Sequence, residues 1–212
     1  MADIEADIKP SGLNQADEVD LMYQLMNSIK GICTKLDADG GVPLTTYVDN
    51  CFTNIFNGAI YDSQDNSLIN RVEASDDRFN IISPGGLTKK ARLEWMYQFL
   101  DMLETLTEQL DTDVLTGSNF ESLCYTALMT YKVTNCKGNT LGNGTTFYFN
   151  PGGSMDQKHL VDFYYKAIDA IETLTEKLDA DGTVTDTNYE ALWYTAKVLK
   201  KVQNSAGNIL GN

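Results

Sequence analysis

The sequence predicts a mainly α fold of three tandem αα-hairpin repeats, joined by extended segments or short β-hairpin connectors. Two observations predict this fold. The same motifs occur three times along the 212 residues, and within each copy apolar residues recur every three or four positions, which is typical of helices with one buried face. The predicted units are 1–81, which carries a long acidic connector arm, 82–149 and 150–212.

Motifs at constant spacing define the three units. Each unit starts near a proline and reaches a Leu-Asp-x-Asp motif 26, 26 and 27 residues later. The prolines are Pro10, Pro84 and Pro151, and the leucines that open the motif are Leu36, Leu110 and Leu178. Units two and three also match further on, where Lys132-Val133 parallels Lys201-Val202. A repeat of this kind indicates one supersecondary unit per copy.

Each unit is predicted to contain two helices. The first helices are predicted over 15–36, 88–110 and 157–178, where apolar side chains form a seam. In unit one the seam is Met22, Leu25, Ile29, Ile32 and Leu36. The second helices are predicted over 45–57, 118–135 and 187–204. Two of them start at a Ser/Thr-x-x-Glu capping box, Ser118 to Glu121 and Thr187 to Glu190, which satisfies N–H groups at a helix start.

The connectors between units are predicted to be extended. The first, 58–83, has apolar ends and a polar, acidic middle, and it predicts an arm or a β-hairpin. Thr145 to Phe149 is β-branched and aromatic and predicts a short strand. Unit three would lack this strand, and it is therefore expected to accept one from a partner. The predicted interface residues are Ile60, Tyr61, Phe79, Ile81, Phe147 and Phe149.

Charge limits the possible partners. The net charge is −14, whereas nucleic-acid binding needs a basic footprint, so we expect no nucleic-acid partner. Apolar runs are too short for a membrane helix, and the first residues lack a signal-peptide pattern. The one basic cluster, Lys89, Lys90 and Arg92, is interpreted as a solvated helix start.

Nothing in the sequence points to an enzyme or a bound cofactor. The single histidine, His159, belongs to no catalytic motif and is expected at the surface. The four cysteines show no CxxC spacing, and we expect reduced thiols in a protein that is made in a cytoplasm. They are Cys33, Cys51, Cys124 and Cys136.

The Asp-x-Asp motifs invite a calcium interpretation. The aspartates are Asp37, Asp39, Asp111, Asp113, Asp179 and Asp181. An EF-hand loop would also need an acidic first position and a bidentate glutamate at position twelve, and neither is present. We therefore favour turns in which the aspartate side chains bond to nearby backbone N–H groups, and we expect no metal.

The segment from Leu174 to Tyr189, with its partial copy from Thr34 to Val42, resembles a segment common in small virion proteins of tailed bacteriophages. The resemblance implies a non-enzymatic virion component on the capsid or at the neck or tail, assembled in the host cytoplasm. Its partners would be major capsid, portal, neck or tail proteins, or a second copy of the chain. Three similar units can contact three similar subunits. The alternative is an acidic bacterial adhesion or ligand-binding module that uses calcium.

Overall fold

A computed structural model describes residues 8–38, 59–60, 81–82, 87–113, 128, 130–134, 138–180 and 201–210. Within these residues the chain forms three long helices, α1 (Gln15–Ala38), α2 (Lys89–Asp113) and α3 (Gln157–Ala180). It also forms short strands, namely β1 (Ala59–Ile60), β2 (Ile81–Ile82), β3 (Tyr131–Thr134), β4 (Thr140–Leu141), β5 (Phe147–Phe149), β6 (Val202–Gln203) and β7 (Ile209–Leu210). The protein is thus partly helical, with small sheets.

Each helix begins at a polar side chain that accepts a hydrogen bond from its first turn. Asn14 Oδ1 accepts from Asp17 N at 2.9 Å, Thr88 Oγ1 from Ala91 N at 3.1 Å and Asp156 Oδ1 from Lys158 N at 2.9 Å. These caps satisfy N–H groups that have no partner within the helix. The predicted starts at 15, 88 and 157 are therefore confirmed to within one residue.

The helices bury a broad apolar stripe, as the periodicity predicts. Ile29, Leu103 and Ile171 are among the buried seam residues. Aromatic side chains link the helices to the strands: Tyr131 of β3 lies edge-on to Phe163 of α3, with ring centroids 5.4 Å apart. Trp95 stacks on Phe99 at 5.1 Å. Among the described residues, one core cluster contains all of these side chains.

The second helix of unit two is predicted over 118–135, and the last part of this prediction is wrong, because Tyr131–Thr134 is a strand. This strand lies between β4, which pairs antiparallel, and β5, which pairs parallel. Its residues are aromatic or β-branched apart from Lys132, which suits a half-buried strand. Gly138, with φ of 89°, supplies the positive φ in the turn to β4. The strand predicted over 145–149 is confirmed as β5.

Unit three differs from the prediction in a similar way. The last residues of its second predicted helix, 187–204, form β6, which pairs antiparallel with β7. The other edge of β6 is already paired with Ile8 of the same chain in a parallel bridge. Ile8 N donates to Lys201 O and Gln203 N donates to Ile8 O, both at 2.8 Å. The expectation that this edge accepts a partner's strand is therefore wrong.

The two ends of the first connector pair with each other, but they do not form the predicted β-hairpin. β1 and β2 pair in parallel, with Ala59 opposite Ile81 and Ile60 opposite Ile82. A two-stranded hairpin requires antiparallel strands, whereas parallel strands need a crossover connection. Residues 61–80 between them lie outside the described residues, as do the predicted helix 45–57 and the capping boxes at 118–121 and 187–190.

Candidate functional site at the junction of the three helices

A buried ion pair joins α1 to α2. Arg92 Nε and Nη2 donate to the two carboxylate oxygens of Glu18, at 2.5 and 2.6 Å. The Glu18 side chain is 2% exposed. Arg92 Nη1 also points at Met155 Sδ, 4.0 Å away, in the loop before α3. A two-point guanidinium–carboxylate pair fixes orientation as well as distance, so it holds the first turns of two helices in one arrangement.

The third helix binds the same carboxylate. Tyr164 OH donates to Glu18 Oε1 at 2.8 Å within the core. Burial, followed by the charge of Glu18 and this hydrogen bond, raises the pKa of Tyr164 well above its ordinary value. Burial alone would lower the pKa of Arg92, but its hydrogen bond to Glu18 and the charge of Glu18 reverse that effect and raise it. Glu18 of α1 is therefore the common acceptor for side chains of the other two helices, α2 and α3.

Glu18 and Arg92 occupy the same position in their helices, since each is the fourth residue. The fourth residue of α3 is the buried Leu160. This centre was not predicted from the sequence, and the prediction that Arg92 is solvated is wrong, because its side chain is only 14% exposed. The available signal was that Glu18 and Arg92 each lie four residues before a methionine of the apolar seam, on the same helix face. Of the basic cluster, Lys90 is exposed.

A second set of contacts connects each helix start to the loop before another helix. In each case the first residue of the helix donates from its side chain to a backbone carbonyl. Gln15 Nε2 donates to Leu87 O at 3.4 Å, and Gln157 Nε2 donates to Leu13 O at 3.3 Å. Lys89 Nζ donates to Gly153 O, and also to Pro151 O at 3.0 Å. The contacts thus run from α1 to the loop before α2, from α2 to the loop before α3, and from α3 to the loop before α1.

The parallel strand contacts follow the same order. Ile60 is opposite Ile82, Val133 is opposite Phe149, and Val202 is opposite Ile8. Ile8, Ile82 and Phe149 each stand two residues before one of the three prolines. A strand that follows each long helix in the chain therefore pairs with the residue that leads into the next one, and the strand after α3 pairs with the residue that leads into α1.

The predicted interface residues are distributed over several environments. Phe149 is fully buried in the core, and its strand β5 lies at one edge of the three-stranded sheet; its role at an interface stays a prediction. Phe147 is half-buried and stacks on His159, with centroids 3.7 Å apart. Ile60 and Ile81 lie in the paired strands β1 and β2. Tyr61 and Phe79 lie outside the described residues.

The exposed side chain of β5 belongs to Tyr148, which is not among the predicted interface residues. Tyr148 is 43% exposed. Its hydroxyl is 2.8 Å from Thr134 Oγ1, and Lys132 Nζ lies 5.1 Å from its ring centroid. The alternation of side chains along a strand explains why Tyr148 faces out while Phe149 faces in.

The aspartates considered for calcium do not form a loop site in the part of the chain that the structure describes. Asp37, Asp111, Asp113 and Asp179 lie in the last turns of their helices, which extend two or three residues beyond the predicted ends. Asp39 and Asp181 lie outside the described residues. Among the described residues, there is no group of three His, Cys, Asp or Glu side chains that could hold a metal ion.

Two further predictions concern single residues. Cys33 is buried and forms no disulfide, as expected of a cysteine in an apolar helix face; the other cysteines lie outside the described residues. His159 is partly exposed, and its Nδ1 is 3.7 Å from Asp156 Oδ2. Within the described ranges, no helix has the length and apolar character needed to cross a membrane.

Comparison of the chain with protein-family models, with curated proteins and with solved structures finds no match.

Proposed function

We propose that the protein is a non-enzymatic structural component of a tailed-phage virion, in which three equivalent units close into a ring and bind other virion proteins. The observation that carries this proposal is the closed order of contacts between the units. Three hydrogen bonds link the units in a closed order. Gln15 to Leu87 O links unit one to unit two, Lys89 to Gly153 O links unit two to unit three, and Gln157 to Leu13 O links unit three to unit one.

The strand contacts support the same closed order independently. They involve backbone groups rather than side chains, and they lie on residues two positions before each proline. In an open array of repeats, the first and last units would not touch. Here Ile8 and Val202 are paired, so unit one lies beside unit three.

A closed ring of three similar units offers three similar surfaces. Shells and tails of virions are built from many copies of one subunit around rotation axes, and a ring of this kind can contact three copies at once. The major capsid protein and the portal, neck and tail proteins are the candidate partners. The buried Cys33, which forms no disulfide, suits a protein that folds in the host cytoplasm before it joins the particle.

Purified particles test this proposal. Phage particles are prepared from cells that carry the gene, banded on a density gradient and analysed by quantitative mass spectrometry. We expect the chain in the particle band at a copy number comparable with that of other structural proteins. An abundant host cytoplasmic protein serves as the control for carry-over. A chain that is as depleted from the band as this control would overturn the proposal.

A further inference from the structure

Met155 lies where the loop before α3 meets the ion pair between α1 and α2. Its Sδ is 4.0 Å from Arg92 Nη1. The other two nitrogens of the guanidinium, Nε and Nη2, donate to the carboxylate of Glu18, whereas the contact of Nη1 is with a thioether, which is a weak acceptor. The Arg92 side chain is 14% exposed, so solvent reaches little of it. A strong, cationic donor therefore faces a poor acceptor at this point.

Met155 also differs in exposure from the other methionines of the described residues. It lies in a loop and is only partly buried. The others lie in helices and are at most 2% exposed, namely Met22, Met26, Met96 and Met102. Peroxides oxidise the thioether of methionine to a sulfoxide, and this attack requires access to the sulfur. Among the described methionines, Met155 is therefore the one that an oxidant in solution reaches without unfolding of a helix.

The loop holds Met155 beside Arg92 through contacts on both sides of it. Lys89 Nζ donates to Pro151 O at 3.0 Å and to Gly153 O, which fixes the loop against the start of α2. On the other side, Asp156 caps α3. The methionine side chain between these two anchors is flexible. Its sulfur can therefore adjust to a change in its own chemistry while the backbone stays in place.

We propose that Met155 is a site of reversible oxidation by hydrogen peroxide, and that the sulfoxide oxygen accepts a hydrogen bond from Arg92 Nη1. The sulfur attacks one oxygen of the peroxide, the O–O bond breaks and an S–O bond forms. The second oxygen takes up the remaining proton and leaves as water, so the sulfur loses two electrons and the peroxide gains them. Methionine sulfoxide reductases restore the thioether. This proposal does not depend on the virion role.

Oxidation at this position strengthens the junction of the helices. A sulfoxide usually disrupts a core, because it puts a polar group in an apolar place. Here the 4.0 Å gap between Met155 Sδ and Arg92 Nη1 leaves room for an oxygen atom, and a charge-assisted hydrogen bond replaces a weak contact with sulfur. Arg92 is bonded to Glu18, which also accepts from Tyr164. The new bond thus ties the loop before α3 to the whole cluster.

Peptide mapping tests whether the sulfur is accessible. The folded chain is treated with increasing hydrogen peroxide, quenched, digested and analysed by mass spectrometry. We expect the Met155 peptide to gain one oxygen at doses that leave the four buried methionines unaltered. A pair of methionine sulfoxide reductases, one for each sulfoxide epimer, should remove this oxygen. The chain unfolded in urea is the control, in which all methionines should react alike. Equal oxidation of Met155 and the buried methionines in the folded chain would overturn the proposal.

Melting temperatures test the hydrogen bond to Arg92. Met155→Leu receives the same peroxide treatment and keeps every other methionine, so it separates their oxidation from that of Met155. Relative to this control, we expect oxidation to raise the melting temperature of the unaltered chain by about 2–4 °C. The double variant Glu18→Leu, Arg92→Leu removes the donor without leaving a buried charge, and the rise should be absent from it. An unchanged or lower melting temperature in the unaltered chain, or an equal rise in the double variant, would contradict the proposed bond.

Discussion

Glu18 and Arg92 bind each other from the same position on two different helices, through two hydrogen bonds of 2.5 and 2.6 Å. If all three helices carried the same charged residue at this fourth position, the like charges would lie close together and repel each other. The chain instead places one acid, one base and Leu160 there. Pairing the two charges requires the starts of α1 and α2 to meet, so the pair favours the observed arrangement of these helices.

Removing one member of this pair is expected to be far more damaging than removing both. Glu18→Leu or Arg92→Leu alone leaves a buried charge without its partner, which costs about 3–5 kcal/mol of unfolding free energy. The double variant puts leucine at the position that Leu160 already occupies on α3, and we expect it to be more stable than either single variant. Urea denaturation of the four proteins measures this coupling. Additive losses would contradict the role of the pair.

The exposed ion pair between Lys166 and Asp169 provides a matched control. Its atoms are 3.2 Å apart, and both side chains are more than a third exposed. Exposed pairs of this kind contribute about 0–1 kcal/mol. Lys166→Leu is therefore expected to change the unfolding free energy little, which shows that the loss at Glu18 and Arg92 comes from burial.

Alkaline pH is expected to destabilise the protein through its buried tyrosines. Burial raises the pKa of Tyr164 well above the ordinary value, and it also raises the pKa of Tyr131. In the unfolded chain these phenols ionise near pH 10. Their contribution is therefore complete below about pH 10 and is lost as the pH rises toward the folded-state pKa. Unfolding free energies measured from neutral to alkaline pH should fall, and less steeply for Tyr164→Phe. An unchanged slope would contradict this assignment.

Ile8, which pairs with Val202, is expected to contribute strongly to the free energy of unfolding. Ile8 is fully buried, so Ile8→Ala removes apolar contacts and leaves a cavity, at a cost of about 2–5 kcal/mol. Ile209→Ala is the control, because Ile209 lies in β7 beside the same strand and is 40% exposed. Its effect should be within about 0.5 kcal/mol. Equal losses in the two variants, measured in urea, would show that the bridge to Val202 is not important.

Calcium is not expected to stabilise the protein. A cation bound at a hundred times its dissociation constant would add about 2.7 kcal/mol to the unfolding free energy. We expect equal melting temperatures with excess calcium and with a chelator, using magnesium as the control for ionic strength. A rise specific to calcium would favour the adhesion alternative and would place a site at the Asp-x-Asp motifs.

Local patterns in the sequence were enough to predict the long helices. The repeat of Met22, Leu25 and Ile29 depends only on residues one turn apart, and α1 starts at residue 15 as predicted. The strand at Tyr131 was missed because it is defined by pairing with Leu141 and Phe149, which no local period reveals. Val133 and Thr134 are β-branched, which favours a strand over the predicted helix end.

The central cluster could not be predicted for a different reason. A charged residue in the first turn of a helix is usually solvated, and the sequence does not say which charges will face each other across helices. Glu18, Arg92 and Tyr164 meet only because the three helix starts converge. Ile8 shows the same limit, since its partner Val202 belongs to the last described segment of the chain.

The pairing of Ile8 with Val202 also determines when folding can finish. During synthesis, Ile8 leaves the ribosome long before Lys201 has been added, so its N–H and C=O groups must wait for partners that come far later in the chain. An open array of repeats can fold one unit at a time as it emerges. Here contacts between residues far apart in sequence delay completion until Lys201 to Gln203 have emerged, and these parts of the chain are then expected to fold as a single cooperative unit.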